Sequence, residues 1–489
     1  MATVSFAQEV PIVADLDVVV VGGGPAGFPA AVAAARNGAA AGIVEQYGFL
    51  GGMATAGLVG PFMTAYTKDG SVQTIRGIFD EMVRRMEAIG GALHPSKVEA
   101  GTVYSSFLSE GHVHVTPFNA EAMKLVAADM CQEAGVKMFL HSFFVKPIIE
   151  NDRMAGVIIA NKGGLQAVRA KVVIDCTGDA DVAFTAGAPT VKGRPEDGKM
   201  QPMTMFFRIG NVDRAKVEEW HREHPDEIRL FGAIVQEARD RGDYPIPRLG
   251  VQVYLEPDGW AWRVNTSRLL GLDGTSPDDL AMAEVEGRRQ VAFLIEFVRK
   301  HLPGFENCTL LETGTQVGVR ETRRIVGEYT LTEQDLAEGM TFPDAIAFAG
   351  YVVDIHQVDG PGGGAGVPYA SANCYSIPFR SLVPQKVDQL LVAGRCLSAT
   401  HVAAGAVRVM PPSFGMGQAA GTAAALAVRQ GVKVRDVNII RLQSLLTEQG
   451  VYLEPIEQLR AIPTHATVQH RPKYVAESGL DYSCSRPNE

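Results

Sequence analysis

The chain has 489 residues, 52 of them Gly and six Cys, and a formal net charge of −10. At 46% hydrophobic and 20% charged, it has the composition of a folded protein of two or three structural units, not of a disordered or collagen-like chain. The acidic balance argues against a general binder of nucleic acid or of anionic membranes.

The N-terminus, MATVSFAQEVPIVADLD, has no basic region and no long apolar core, so no signal peptide is expected. Leu16–Val21 is a β-branched run suited to a strand buried on both faces. Gly22-Gly23-Gly24-Pro25-Ala26-Gly27 follows at once as G-x-G-x-x-G, then the Ala-rich helical segment FPAAVAAARNGA, which ends near Gly38. The run AAGIVE closes the unit at Glu45, 21 residues beyond Gly24. Each position has a physical task. Gly22 allows the tight turn, Gly24 lets a pyrophosphate approach the backbone, and Gly27 lets helix pack on strand. The helix N-terminus offers free N–H groups to the phosphates. Glu45 is placed to accept the hydroxyls of an adenosine ribose. The pattern reads as a dinucleotide site, without separating FAD from NAD; a glycine-rich turn with no ligand is the alternative.

Further along, Gly51-Gly52-Met53-Ala54-Thr55 offers a second place where backbone can touch a cofactor. Glu121–Ala134 has the period of an amphipathic helix, and Val136–Val145 reads as the strand after it. Met154–Ile159 and Leu165–Ile174 predict a hairpin leading into Thr177-Gly178-Asp179. Asp213–Arg241 is charged and helical in period, and Val251–Asn265 carries Pro257-Asp258-Gly259 between alternating runs, a hairpin pattern. Asp278–His301 predicts a long helix capped by Ser276-Pro277. The loop Asp359–Gly366 (DGPGGGAG) is a gate or a plain surface connection. Gln389–Gly394 reads as a strand entering a Gly turn, and Pro412–Ala427 as a helix rich in small residues. No stretch approaches the ~18 apolar residues of a membrane span. The cysteines (131, 176, 308, 374, 396 and 484) include no Cys-x-x-Cys. They read as reduced thiols of a cytoplasmic protein, with no local sign of an iron–sulfur or structural zinc site.

Five segments, VVVGGGPAGFPAAVAAARNGA, EQYGFLGGMATAG, AKVVIDCTGDADVAFTAGA, GVRETRRIVGEYTLTEQD and LLVAGRCLSATHVAAGAVRVMPPSFGMGQAAGTAAALA, stand in the order of a known family. Together they resemble the FAD-dependent oxidoreductase family within the glutathione-reductase-like flavoproteins, broadly related to the fumarate reductase and succinate dehydrogenase flavoproteins. The resemblance implies an α/β fold: a Rossmann-like FAD-binding domain of three layers (ββα), discontinuous over 1–62, 117–195 and 331–435. An α+β substrate or cap domain would be inserted over 63–116 and 196–330, with a C-terminal helix and tail over 436–489. It implies FAD contacts at Gly22, Gly24, Pro25, Ala26, Gly27, Glu45 and Gln46, and at Gly51, Gly52 and Met53. His141–Val145, with Phe144, would flank the adenine, and Thr177, Gly178 and Asp179 would cross back toward the cofactor. Gly415, Gly417 and Gln418 would lie by the pyrimidine edge of the isoalloxazine. Gly394-Arg395 departs from the Gly-Asp or Gly-Glu that many relatives use on the ribityl chain; Arg395 cannot accept a hydroxyl's hydrogen bond and instead suits the pyrophosphate.

The flavin would carry the hydride, so the protein must supply position, proton transfer and charge stabilisation. His401 and Arg408 flank Val402–Val407 where fumarate-reductase-like proteins also carry a His and an Arg, though the following segment is shorter here. Arg408 suits a carboxylate or enolate oxygen, or alternatively an acid or a flavin phosphate. His356 is a candidate general base or a structural histidine. Arg320 and Arg323 are active-site cations or partners of Glu321 and Glu328. His112 and His114 alternate as two metal ligands can, but lack an obvious third, so no metal is expected. Cys176 and Cys396 either approach the flavin or are small buried residues. The resemblance implies an enzyme that takes a hydride from a small organic substrate to FAD N5, with reoxidation by oxygen or a separate acceptor. Reduction of an activated C=C bond and flavin-dependent monooxygenation are the alternatives. No nucleic-acid or membrane partner is expected; a homo-oligomer is possible.

Overall fold

A computed structural model of the chain describes residues 3–361 and 371–453. The first unit is β1 (Ile12–Val21), α1 (Gly27–Arg36) and β2 (Ala41–Val44). Alternate residues of β1 enter different cores: Val18 and Val20 face α1, while Val19 and Val21 face the opposite side of the sheet. A side chain on Gly27 would collide with the Gly22 carbonyl oxygen, so this glycine sets how closely α1 lies on β1.

Next come α2 (Ile78–Ala88), α3 (Ala120–Glu133), β3 (Lys137–Phe139), β4 (Phe143–Glu150), β5 (Arg153–Asn161), β6 (Gly164–Asp175), α4 (Asp181–Thr185) and β7 (Thr190–Lys192). The main sheet runs β3-β2-β1-β6-β5-β4, with β1 parallel to β2 and β6, and β5 and β4 antiparallel. The strand predicted over Val136–Val145 is interrupted. His141 takes a φ of 50°, its N–H donates to Tyr47 O and the Ser142 N–H donates to Glu45 O, so the chain folds around Glu45 instead of running straight.

A second, antiparallel sheet is built from β8 (Phe207–Gly210), β9 (Val253–Leu255), β10 (Trp262–Val264) and β11 (Thr309–Thr313), in the order β11-β8-β10-β9. Between β8 and β9 the predicted helical stretch divides into α5 (Arg214–Glu223) and α6 (Gly232–Asp240). Pro225 falls in the break, where it cannot continue a helix. α7 (Pro277–His301), capped by Ser276 Oγ accepting from the Asp279 N–H at 3.3 Å, buries Ala283, Gly287, Val291, Leu294 and Val298 in this second core.

The chain then returns through β12 (Arg323–Ile325), α8 (Glu333–Ala337), β13 (Ala345–Ala349), β14 (Tyr375–Pro378) and β15 (Leu390–Val392), which adds to the main sheet parallel to β6. α9 (His401–Val407), α10 (Met410–Gln430) and α11 (Ile439–Glu448) complete the described chain. α10 lies on α1, with Gly417 and Gly421 against the carbonyls of Ala26 and Ala30. The segment 63–116, grouped from sequence with 196–330, divides: Phe79, Met82 and Met86 of α2 belong to the first core, whereas Val103 belongs to the second. The Gly-rich loop read as a gate or a surface connection falls mostly outside the described residues, as does the tail beyond 453. Among the described residues no helix is long and apolar enough to cross a membrane.

Candidate active site

A single cavity of about 980 Å³ runs between the two sheets, lined by Gly22, Glu45 and Gly178 from the main-sheet loops and by Arg248, Tyr254 and Arg268 from the second unit. Its first part has the shape of a dinucleotide cradle. Gly22 has a φ of 95° and a Cβ there would strike the Cys176 carbonyl, so only glycine makes this turn. At Gly24 the reason differs. A Cβ would meet nothing nearer than Gly52 Cα at 3.7 Å, so the space above Gly24 is open to the cavity. Glu45 is buried; its Oε2 accepts the Gly23 N–H at 2.7 Å and its Oε1 the Tyr47 N–H at 3.0 Å. Burial raises its pKa, and the backbone donors partly offset that. A carboxylate fixed this way, beside two facing glycines, fits an adenosine ribose and a pyrophosphate.

The crossover turn is built by Asp175 at the end of β6. Its carboxylate accepts the Thr177 N–H at 3.0 Å, the Thr177 hydroxyl at 2.7 Å and the Ala183 N–H at 2.9 Å. Complete burial pushes its pKa up to about 6. Asp179 then accepts from Arg395 Nη2 at 2.9 Å and from the Thr322 hydroxyl at 2.6 Å, while Arg395 Nη1 donates to Val319 O at 2.9 Å. The acid missing at the Gly394-Arg395 position is thus present in the cavity as Asp179, paired with the arginine that replaces it.

The far part of the cavity is cationic. Arg320 Nη1 donates to Pro202 O at 2.7 Å and to the Thr204 hydroxyl at 2.6 Å. Arg248 Nη2 donates to the Asn265 backbone O at 3.2 Å and side-chain Oδ1 at 3.1 Å, and its buried Nε has no partner. Arg268 Nη2 donates to Gln357 O at 2.7 Å. Arg408 Nη2 reaches Asp354 O at 3.2 Å and Gln201 Oε1 at 3.3 Å, with Asp354 Oδ2 at 3.6 Å. Asp354 brings a carboxylate among these groups; its Oδ1 lies 3.5 Å from His356 Nε2, and its Oδ2 accepts from Tyr351 OH at 3.4 Å. Burial, then repulsion from Arg248 and Arg408, lowers the Arg320 pKa well below its usual value, and burial followed by Arg248 brings Arg268 down to about 9. Burial opposes ionisation of Asp354, but His356, Arg408 and Arg320 overcome it and hold the carboxyl well below the usual range. His356 is pushed down to about 3, by burial first, with Arg320 and Arg248 acting against the pull of Asp354. Burial raises Tyr254 to about 12, so its hydroxyl stays protonated, 3.4 Å from His112 Nε2.

Of the residues singled out from sequence, Gly22, Gly24, Pro25, Ala26, Glu45, Gln46, Gly52, Met53, Phe144, Thr177, Gly178, Asp179, Gly394, Arg395, His356, Arg320 and Arg408 line this cavity. Others do not. His401 caps no part of it: its Nδ1 bonds Glu321 Oε1 at 2.8 Å in a buried cluster with Arg324. Glu321 therefore pairs with Arg324 and His401 rather than with Arg320, while Arg323 pairs with Asp181 at 2.8 Å and Glu328 with Arg435 at 2.5 Å. Gly27 and Gly417 serve helix packing, Gly51 sits over Thr55, and Gly415 faces Ala347. Gln418 accepts the Ile78 N–H at 2.9 Å, tying α10 to α2. Helix α10 begins at Met410, two residues before the predicted start, and presents Met410 and Ser413 to the cavity. Cys176 lines the cavity, whereas Cys396 is fully buried behind it. His112 faces the cavity but His114 bonds Val98 O at 3.0 Å. Sequence reasoning missed Arg248, Arg268, Tyr254, Asn265 and Asp354. The available pointer was a pair of arginines, at 248 and 268, bracketing the predicted hairpin.

A thiamine thiazole synthase of Aeropyrum pernix is 30% identical over 246 residues, 48% of this chain and 76% of that protein. Among solved structures, a geranylgeranyl bacteriochlorophyll reductase-like protein from Thermoplasma acidophilum matches at 15% identity and a TM-score of 0.42, covering 89% of this chain and 84% of that one. A p-nitrophenol 4-monooxygenase from Pseudomonas putida matches at 12% identity and a TM-score of 0.44, over 96% and 92% of the two chains. A family model described as FAD dependent oxidoreductase matches residues 17–446, and the chain belongs to that family of flavoenzymes.

Proposed function

We propose that the enzyme oxidises a small organic substrate at the arginine-rich end of the cavity, passing a hydride to FAD. Oxygen or a separate acceptor would then take the electrons. The observation that carries this reading is continuity: the dinucleotide cradle and the Arg–Asp–His cluster line one cavity. When bound, FAD supplies the two-electron acceptor.

The chain's own residues divide the remaining work. Glu45 and the glycines at 22, 24 and 52 hold the dinucleotide. Arg408, steadied by Gln201 and Asp354, is a cation placed to hold an oxygen on which negative charge develops. His356 is neutral at pH 7 and lies 3.5 Å from the Asp354 carboxylate that steadies Arg408, so it is the candidate to accept a proton at a ring nitrogen. The arginine cluster also gives the reverse direction, reduction of an activated C=C bond, a specific support, because it would stabilise an enolate. The resemblance of the sequence motifs to those of fumarate reductase flavoproteins supports that second reading.

Anaerobic mixing of the purified yellow protein with sugars, amines, hydroxy acids and aromatics tests the direction. Bleaching of the visible flavin band by one class supports oxidation. Turnover seen only with an added reductant and an activated alkene would replace it with the reductive reading.

A further inference from the structure

The cavity holds a second acid–base pair besides His356. His112 and Tyr254 both line it, and the proton transfer assigned to His356 uses neither. Two segments bring them together. The Val253 N–H on β9 donates to the Ser106 hydroxyl at 3.1 Å, which ties the loop before His112 to the strand that carries Tyr254. That loop turns at Gly111, where φ is 70° and a Cβ would strike the Val352 side chain at 2.8 Å. His112 is left facing the phenol.

The hydrogen bonds give the pair a direction. His112 Nδ1 lies 2.9 Å from Glu110 O. A carbonyl only accepts, so Nδ1 carries the hydrogen and Nε2 keeps its lone pair. Tyr254 OH lies 3.4 Å from that Nε2 and donates to it; such contacts tighten once substrate fills a site. The Asn265 amide also faces the phenol oxygen and supports negative charge on it. The Tyr351 OH, by contrast, is directed at the Asp354 carboxylate. Tyr254 therefore offers an oxygen to the cavity with a neutral imidazole behind it, ready to take its proton.

We propose that Tyr254 is a catalytic residue, with His112 as its positioning partner, and that the substrate is an alcohol. This assignment rests on the oxidation reading. As the C–H hydride leaves for the flavin, the substrate O–H bond breaks and its proton goes to Tyr254 Oη. The Tyr254 proton moves in the same step to His112 Nε2. The carbon–oxygen bond becomes a carbonyl, two electrons pass to FAD, and one proton rests on the imidazole. The phenol is never left ionised, so the burial that raises its pKa to about 12 is no obstacle. An alcohol needs this pair because its hydroxyl holds its proton at pH 7, whereas a neutral amine expels hydride on its own nitrogen lone pair.

The test follows anaerobic bleaching of the FAD-loaded enzyme by alcohols and by amines, in H2O and in D2O. At least one alcohol should bleach the flavin, more slowly in D2O. Tyr254→Phe should keep FAD, lower the limiting rate by about 100-fold or more, and lose the D2O effect. His112→Gln should lower the limiting rate at an unchanged half-saturating concentration and abolish its rise with pH. That rise belongs below the ordinary 6.5, because burial, with Arg229 beside it, keeps His112 neutral against the pull of the Glu110 carbonyl and Asp354. The charged and titratable groups facing the pair are Glu110, Arg229, Arg248, Tyr351 and Asp354. Nitrogen-15 NMR of the histidines, with and without FAD, checks the pair without turnover. The His112 signals, assigned by their loss in His112→Gln, should show a bare Nε2 that shifts in Tyr254→Phe. A hydrogen on Nε2 in the wild-type spectrum overturns the proposal, as does Tyr254→Phe bleaching at the wild-type rate. So does bleaching by amines alone, or a pH rise and D2O effect that vanish in His356→Gln and persist in Tyr254→Phe. Each of these leaves the oxidation reading standing. Bleaching by no organic compound sinks the oxidation reading and the alcohol with it.

Discussion

Gly24 and Arg408 show how much one side chain decides here. At Gly24 the protein itself leaves room for a methyl group, with 3.7 Å to the nearest atom, and the backbone is not left-handed. The glycine is therefore required only by what occupies the space above it. Gly24→Ala should fold with a stability within about 0.5 kcal/mol of wild type, yet bind FAD at least about tenfold more weakly. Apoprotein melting and flavin titration check both halves. Arg408 is the complementary case. It touches the Asp354 and Gln201 oxygens and no part of the glycine cradle. Arg408→Ala should retain FAD and lower turnover by about 100-fold or more, the loss typical of removing a donor from a developing oxyanion. Release of the flavin on purification would instead make Arg408 a cofactor contact.

At the scale of elements, the packing of α10 on α1 positions both the glycine cradle and the Met410–Ser413 wall of the cavity. That packing depends on two glycines four residues apart. A Cβ on Gly417 would run into the Ala26 carbonyl, and one on Gly421 into the Ala30 carbonyl. Neither neighbour is a flexible side chain, so the helices must separate. Gly417→Ala should cost about 1–3 kcal/mol in denaturant unfolding, and it should weaken FAD binding because Ala26 lines the cradle. A variant as stable as wild type would show that the helices shift without penalty. The sequence expectation that Gly415, Gly417 and Gln418 face a flavin confused a packing stripe with a ligand surface. Both need small residues at helical spacing, and spacing alone does not tell them apart.

Across the whole molecule, a buried arginine ties the second sheet to loops of the first unit, held in place by an ion pair within its own hairpin. Arg263 on β10 donates to Glu256 at 2.7 Å, reaches across to Phe118 O at 2.7 Å and Val59 O at 3.2 Å, and lies 4.1 Å from the Phe118 ring. Arg263→Met should destabilise by about 3–5 kcal/mol, because Glu256 is left buried with less compensation; chemical unfolding measures it. The cavity between the sheets also sets an acid limit. The His356 pKa falls from its ordinary 6.5 to about 3 on folding, so between those pH values the unfolded chain holds more protons. Stability should fall as pH drops through that window. Asp175, raised from 3.8 to about 6, acts with the opposite sign: its contribution is present below 3.8 and lost as pH rises through 6. The difference between wild type and His356→Gln, measured from pH 7 to 4, isolates the histidine, and parallel curves would remove it as the cause.

The sequence by itself determined the dinucleotide half. Strand, turn, helix and acid follow one another within thirty residues of Leu16, so local chemistry specifies them, and the long α7 and the β9–β10 hairpin were legible for the same reason. Only the tertiary structure decided the chemical half. Arg248, Asn265, Arg320, Asp354 and Arg408 come from five separate segments and meet only around the cavity between the two units. Nothing in the pattern around any one of them records the others. His401 and Arg408 make the point most directly. Seven residues apart at the two ends of α9, one turns inward to Glu321 and the other to the cavity. Which way each faces depends on what α9 packs against, and that is set by distant parts of the chain.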